Sequence, residues 1–251
     1  MKTFLLSVFL LISISLFSQE LEYKWGRPTT KGIDNYIETN WLVFIADYQE
    51  FIGDTLVYEP FISTDDLSDY YNYAQGDAGY FEYPDNIIID NNPNFIDYEL
   101  SNLSKFRRNQ YREASMFVRG VVMHELTHCY IYQIMMMAKY DGNLEYVFRE
   151  GLRMIPVDNY YADFVTEGIC EAVVVMMDEM IVSDEQQVLI KNDLVRKDSY
   201  EIKYRYSRQF MMPVIREFGL KPAIYIVLSN KPPDDEEILN PQQYYDRLKW
   251  K

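Results

Sequence analysis

Both histidines of the 251-residue chain lie in one short stretch, MHELTHCY, at positions 123–130. His124 and His128 are four residues apart, and Glu125 directly follows the first of them. On an α-helix, side chains four residues apart lie on one face about one turn from each other, so both imidazoles can bind one metal ion. The flanking residues are apolar, and a buried helix rarely holds such polar groups without partners. The spacing therefore predicts a metal site.

Glu125 has a different predicted role from the two histidines. It is rotated by about 100° from His124 around the helix axis, so it cannot bind the same ion. It can instead reach a water molecule that the ion holds. Zinc accepts imidazole ligands, keeps an open coordination position and lowers the pKa of its bound water to about 7. The motif thus predicts hydrolytic zinc chemistry, with Glu125 as the base that activates the water and later protonates the leaving amine.

The third zinc ligand must be a carboxylate or a thiolate, because the chain has no third histidine. The stretch TEGICEA at 166–172 is the best source, since Glu167 and Glu171 lie one helical turn apart on the same face. We predict Glu167 as the ligand, and Glu171 as an alternative ligand or as a residue that orients a histidine. Two further alternatives are Glu150, which also precedes a glycine, and Cys170, which would give a site of two histidines and one cysteine.

A hydrolase also needs a donor for the negative oxygen that develops in the transition state. Because both histidines are assigned to the metal, a tyrosine or an arginine must serve, and the first candidates are Tyr160, Tyr161 and Tyr204. Arg205 and Tyr206, which directly follow Tyr204, are further alternatives. The sequence does not choose among them.

The elements that must position these residues are mostly helices. Apolar spacing and flanking signals predict helices over 33–52, 109–140, 160–180 and 199–218. The β-branched run NIIID at 86–90 predicts a strand, and residues 53–84 predict loops with short strands. Residues 222–230 fit either a helix or a strand, and short helices broken by Pro241 are expected after the Pro-Pro turn. The pattern is that of a mostly helical α+β domain with its strands in the N-terminal half.

Residues 1–19 have the features of a secretory signal peptide. Lys2 precedes an apolar stretch from Phe4 to Leu16, with small or polar residues near the expected cleavage point. The stretch is short for a membrane span, and no cysteine follows it for a lipid anchor. We therefore expect a cleaved signal peptide, a secreted or periplasmic location and no membrane span in the mature chain. Residues 20–251 suffice for a single domain.

Charge and cysteine content restrict the partners and the covalent framework. The net charge of −15 argues against nucleic acids and anionic membranes as partners, because both would repel the protein. A peptide or protein substrate and a monomeric state are expected instead. The two cysteines, Cys129 and Cys170, can form one disulfide in an exported protein or remain two buried thiols. The sequence leaves both alternatives open.

These motifs resemble those of a known family. HELTH at 124–128 followed by TEG at 166–168 is similar to the gluzincin branch of zinc metallopeptidases, in which a glutamate on a second helix completes the metal site. The stretches 78–90, 165–171 and 232–246 also resemble a poorly characterised set of predicted secreted peptidases. That set carries a histidine where this chain has Asn240, so the resemblance assigns no catalytic role to this position.

The resemblance implies a zincin-like fold with a small N-terminal sheet, an active-site helix and a glutamate helix. It implies zinc-dependent peptide hydrolysis, most simply by an endopeptidase. It also implies that strand 86–90 forms the upper edge of the cleft and binds the substrate backbone as an added strand. Two alternatives stay open: a catalytically inactive protein of this fold that holds a partner, and a zinc amidase acting on a non-peptide substrate such as cell-wall material.

Overall fold

In a computed structural model, the described part of the protein comprises residues 29–67, 78–82, 84–94, 96, 114–140, 160–177, 193–196, 199 and 201–249. Helices predominate there, and a small three-stranded sheet lies in the N-terminal half. This confirms the prediction of a mostly helical α+β protein. The expected signal peptide lies outside the described residues.

The bounds of the elements are as follows. The helices are α1 (Thr30–Ile52), α2 (Ala114–Tyr140), α3 (Tyr160–Met177), α4 (Ser207–Phe218), α5 (Leu220–Leu228), α6 (Asp235–Leu239) and α7 (Pro241–Lys249). A 3₁₀ turn covers Asp193–Arg196, and a π-helix covers Glu201–Tyr206 and runs directly into α4. The strands are β1 (Phe61–Asp65), β2 (Gly79–Glu82) and β3 (Asn86–Asp90). No helix among the described residues is both long and apolar enough to cross a membrane.

The chain divides into two compact units, and the boundary falls inside a continuous helix. One unit comprises Met1–Phe51 and Tyr58–Leu126, and the other comprises Ile52–Val57 and Thr127–Lys251. Helix α2 therefore contributes its first part to one unit and its second part to the other. The single-domain interpretation of the mature chain stays a prediction.

In the first unit, β3 is the central strand of the sheet. It pairs with β1 in parallel and with β2 in an antiparallel arrangement, so both of its edges are hydrogen-bonded. The expectation that β3 is an edge strand which binds substrate is therefore wrong. Its β-branched residues are explained by burial, since Ile87 and Ile89 are almost completely enclosed.

A glycine allows the sheet to approach α2 closely. A Cβ atom added to Gly79 in β2 would lie 2.9 Å from Cγ1 of Val121 in α2 and 3.0 Å from the carbonyl oxygen of Ile88. Only glycine leaves room for this contact. The sheet thus packs against the N-terminal part of the helix that carries the histidines.

The second unit is built around α3, the π-helix and α4. Phe164 of α3 packs edge-to-face on Phe210 of α4, with ring centroids 5.2 Å apart. Tyr206, at the end of the π-helix, donates a hydrogen bond from its hydroxyl to the carbonyl oxygen of Ile238 at 2.7 Å. In the segment 222–230, which fits a helix or a strand, all residues but the last two belong to α5, and Ala223, Ile224 and Val227 are buried there.

Candidate metal centre

Helix α2 places the two histidines one turn apart, as the spacing predicts. Their ligand nitrogens and the sulfur of Cys170 in α3 all lie within 4.8 Å of one another, so this group can hold a metal ion. Glu125, the predicted base, is only 5% exposed. Cys170 is completely buried.

Glu167 of α3 also faces this group. Its Oε2 atom lies 3.6 Å from Nε2 of His128, while its Oε1 atom lies 3.5 Å from Nζ of Lys203. The structure thus brings Cys170 up to both histidines and Glu167 up to His128, and Glu171 lies one turn after Glu167 on α3. Glu150 lies outside the described residues. The assignment of Glu167 rather than Glu171 as the ligand stays a prediction.

The donor set determines which ions fit. Two imidazoles, a thiol and a carboxylate offer nitrogen, sulfur and oxygen donors, a combination that zinc accepts in proteins. Calcium and magnesium prefer sites made of oxygen donors alone. The group therefore suits zinc or a similar transition-metal ion better than the hard divalent cations.

Two charged residues that the motifs do not predict, Asp163 and Lys203, lie beside the group. Asp163 is one turn before Glu167 on α3. Burial raises the pKa of its carboxyl to about 6. Lys203 and His128 oppose this rise in pKa, and the negative charge of Glu167 adds to it. The four-residue spacing of Asp163, Glu167 and Glu171 is a sequence signal for this acidic row. Lys203 carries no comparable signal, because it comes from the π-helix.

Gly168 explains how the π-helix comes so close to Glu167. A Cβ atom at this position would lie 2.5 Å from the carbonyl oxygen of Ser207, which is the first residue of α4. The backbone of α3 therefore touches the junction of the π-helix and α4, and no larger residue fits. Glu167 and Lys203 flank this contact.

The three candidate tyrosines have different surroundings. The hydroxyl of Tyr161 donates a hydrogen bond to Oδ1 of Asp235 at 2.8 Å, and this bond together with burial raises the pKa of Tyr161 to about 12. The ring of Tyr204 lies under Lys203, with 5.1 Å between its centroid and Nζ. The side chain of Tyr160 lies outside the described part. Tyr161 would have to give up its present hydrogen bond to serve a substrate, and the assignment of the donor stays a prediction.

Cys129 and Cys170 are two buried thiols and are not joined in a disulfide. The sulfur of Cys129 accepts a hydrogen bond from Nε2 of Gln133 at 3.2 Å. The sequence left open a disulfide or two buried thiols, and the structure contains two buried thiols. This leaves the sulfur of Cys170 chemically able to bind a metal.

Comparisons with known proteins add no further assignment. No protein-family model matches the chain, and no curated protein or solved structure matches it. The resemblance to gluzincins therefore stays a hypothesis that depends on the motifs.

Proposed function

We propose that the protein is an exported zinc-dependent peptide hydrolase of the gluzincin type with a zincin-like fold. In this proposal His124, His128 and Glu167 bind the metal, and Glu125 is the catalytic base. The observation that carries it is the meeting of two histidines from α2 with metal-binding side chains from α3. The His-Glu-x-x-His motif at 124–128, which lies within one helix, supports the same zinc-dependent hydrolysis.

Glu167 is preferred to Cys170 as the third ligand because of where the two side chains lie. The side chains of Glu167 and His128 are 13% and 24% exposed, whereas Cys170 is completely buried. A substrate must reach the reacting centre from solvent, so a catalytic site needs ligands that leave an accessible coordination position. Cys170 would then pack beneath the histidines as a small apolar residue.

Each residue has a defined task in the reaction. When bound, zinc supplies Lewis acidity that brings the pKa of a coordinated water to about 7 and polarises the scissile carbonyl. Glu125 takes the proton of the attacking water and returns it to the amine that leaves. Its nearly complete burial keeps bulk water away from the carboxylate, which strengthens its interaction with the reacting groups.

The proposal is tested by cleavage of a diverse peptide library with the zinc-loaded mature protein and its Glu125→Gln variant. Because general base catalysis contributes about 10²–10⁴ in rate, we expect the variant to lose at least that factor. Its zinc content, measured by mass spectrometry, should match that of the wild type. The matched control is Glu38→Gln, which removes an exposed carboxylate from α1 and should cleave normally.

Two results would count against the proposal. A Glu125→Gln variant that cleaves at the wild-type rate would show that Glu125 is not the base. A wild-type protein that binds zinc yet cuts no peptide would favour a non-peptide amide substrate or a cleft that only binds its partner.

A further inference from the structure

The two carboxylate oxygens of Glu167 face two different partners. Oε2 lies 3.6 Å from Nε2 of His128, and Oε1 lies 3.5 Å from Nζ of Lys203. When a partner holds one oxygen of a carboxylate, the other oxygen points in a fixed direction and can bind a metal ion. In metal sites, ligating side chains are commonly oriented by such outer partners, and these partners affect metal affinity.

We infer that Lys203 is a positioning residue for the metal site, holding Oε1 of Glu167 so that Oε2 faces the ion. This inference rests on the proposed function, because it needs Glu167 to be a ligand. It adds a positively charged side chain from the π-helix that contacts a predicted ligand but does not itself bind the metal.

The segment that carries Lys203 is fixed to α3 beside Glu167. The hydroxyl of Ser207 shares its one hydrogen between the carbonyl oxygens of Lys203 and Tyr204, the latter at 3.0 Å. The carbonyl of Ser207 in turn lies against Gly168, the residue next to Glu167. The π-helical geometry of this segment is itself uncommon and is frequently found at functional sites.

Burial distinguishes this ion pair from others on the same element. The side chains of Lys203 and Glu167 are 29% and 13% exposed, so solvent screens their attraction only in part. Arg205 and Glu201, on the same π-helix, form a closer pair at 2.9 Å, but their side chains are 50% and 46% exposed. Such solvent-exposed ion pairs contribute little to the free energy of folding. A partly enclosed lysine against a predicted ligand is better suited to a positioning role.

Nearby carboxyl groups also offset the positive charge of Lys203 beside the predicted metal site. Lys203 lies close enough to the carboxyl of Asp163 to lower its pKa. The positive charge of Lys203 is thus opposed by two carboxyl groups, Asp163 and Glu167. Its repulsion of a bound divalent ion is correspondingly reduced.

The experiment measures the zinc dissociation constant by competition with a chromophoric chelator. The proteins are the wild type, Lys203→Met, Lys203→Arg, Glu167→Gln and the double variant Lys203→Met/Glu167→Gln. We expect Lys203→Met to weaken zinc binding by about 10- to 100-fold, which is the usual effect of losing an outer partner. Lys203→Arg should restore most of the affinity, because it keeps a cation that can bind the carboxylate.

The double variant tests whether Lys203 acts through Glu167. If it does, Lys203→Met causes no additional loss once Glu167 is replaced, since the two effects are then not additive. Arg205→Gln is the matched control, because it removes a cation from the same π-helix but from an exposed pair. Its dissociation constant should equal that of the wild type. Lys203→Gln serves as a second variant if Lys203→Met does not fold, as judged by circular dichroism.

Wild-type affinity in Lys203→Met, or in Lys203→Gln where that variant replaces it, would overturn the inference and leave the proposed function intact. An equal loss in the Glu167→Gln background would also overturn it, because Lys203 would then act by another route. A wild-type protein that does not bind zinc would instead overturn the proposed function, and this inference with it.

Discussion

Glu167 and Glu171 lie one turn apart on α3, and we propose that Glu167 is the metal ligand. Its carboxylate is shared between His128 and Lys203. We therefore predict that Glu167→Ala weakens zinc binding far more than Glu171→Ala, as measured by isothermal titration calorimetry. Equal losses in the two variants, or a greater loss for Glu171→Ala, would contradict the ligand assignment.

Asp90, at the end of β3, gives a prediction about pH. It is only 3% exposed, and this burial raises its pKa to about 6 from an ordinary value of 3.8. Backbone N–H groups of Asn92 and Leu67 oppose the shift, whereas Asp66 and Asp65 add to it. The folded state therefore holds this proton more tightly than the unfolded state. The contribution of Asp90 to the free energy of unfolding falls as the pH rises from about 4 to about 6.

Asp90→Asn should remove this fall in the free energy of unfolding with rising pH. Both backbone donors bind Oδ1 of Asp90, and an asparagine keeps an oxygen acceptor there. We predict that the variant raises the free energy of unfolding at pH 7 by roughly 1–3 kcal/mol and flattens its dependence on pH between the two values, measured by urea denaturation. Glu38→Gln, which removes an exposed carboxylate from the same unit, is the control for the loss of a negative charge. A variant that is less stable than the wild type at pH 7 would refute this interpretation.

The residues of the site differed in how far the sequence could predict them. His124, Glu125 and His128 were recognisable because their spacing along one helix is local and specific. Lys203 was not, since an ion pair between separate elements leaves no local pattern. Asp163 shares the four-residue spacing of Glu167 and Glu171, but the sequence alone does not show that this acidic row lies beside the histidines. The sequence offered Glu167 and Cys170 as alternatives, and both of these side chains reach His128.

Among the elements, the contact between α3 and the start of α4 fixes the backbone beside Glu167. Ala is normally a better helix residue than Gly by about 1 kcal/mol. At Gly168, however, the added Cβ would meet backbone atoms of Ser207 at 2.5 and 2.7 Å. We predict that Gly168→Ala lowers the free energy of unfolding by about 1–3 kcal/mol, as overpacking usually does, measured by urea denaturation. A stabilised variant would show that helix propensity dominates and that the close contact is not required.

Element types were predictable where local pattern decides them. The spacing of apolar residues predicted α1, and the β-branched run predicted β3 with its observed bounds. The position of β3 within the sheet was predicted wrongly, because strand order depends on pairing with β1 and β2, which are distant in sequence. Likewise, the pattern of 199–218 predicts one helix, whereas its first part, Glu201–Tyr206, is π-helical and places Lys203 beside Glu167 of α3.

For the molecule as a whole, the metal is expected to serve the site and not the fold. Each unit has its own buried apolar residues, for example Ile37 and Phe44 in the first and Phe164 and Phe210 in the second. We predict that a chelator abolishes peptide cleavage while the far-ultraviolet circular dichroism spectrum is retained, and that added zinc restores activity. Global unfolding in the chelator would mean that the metal is structural.

The central claim is that His124 and His128 bind a zinc ion together with a carboxylate. X-ray absorption spectroscopy of the zinc-loaded wild-type protein at the zinc edge tests it most directly. We predict the scattering signature of two imidazoles and a nitrogen and oxygen shell at about 2.0–2.2 Å. A spectrum without the imidazole signature would contradict the metal site itself, and a sulfur shell at about 2.3 Å would replace Glu167 by Cys170 as the third ligand.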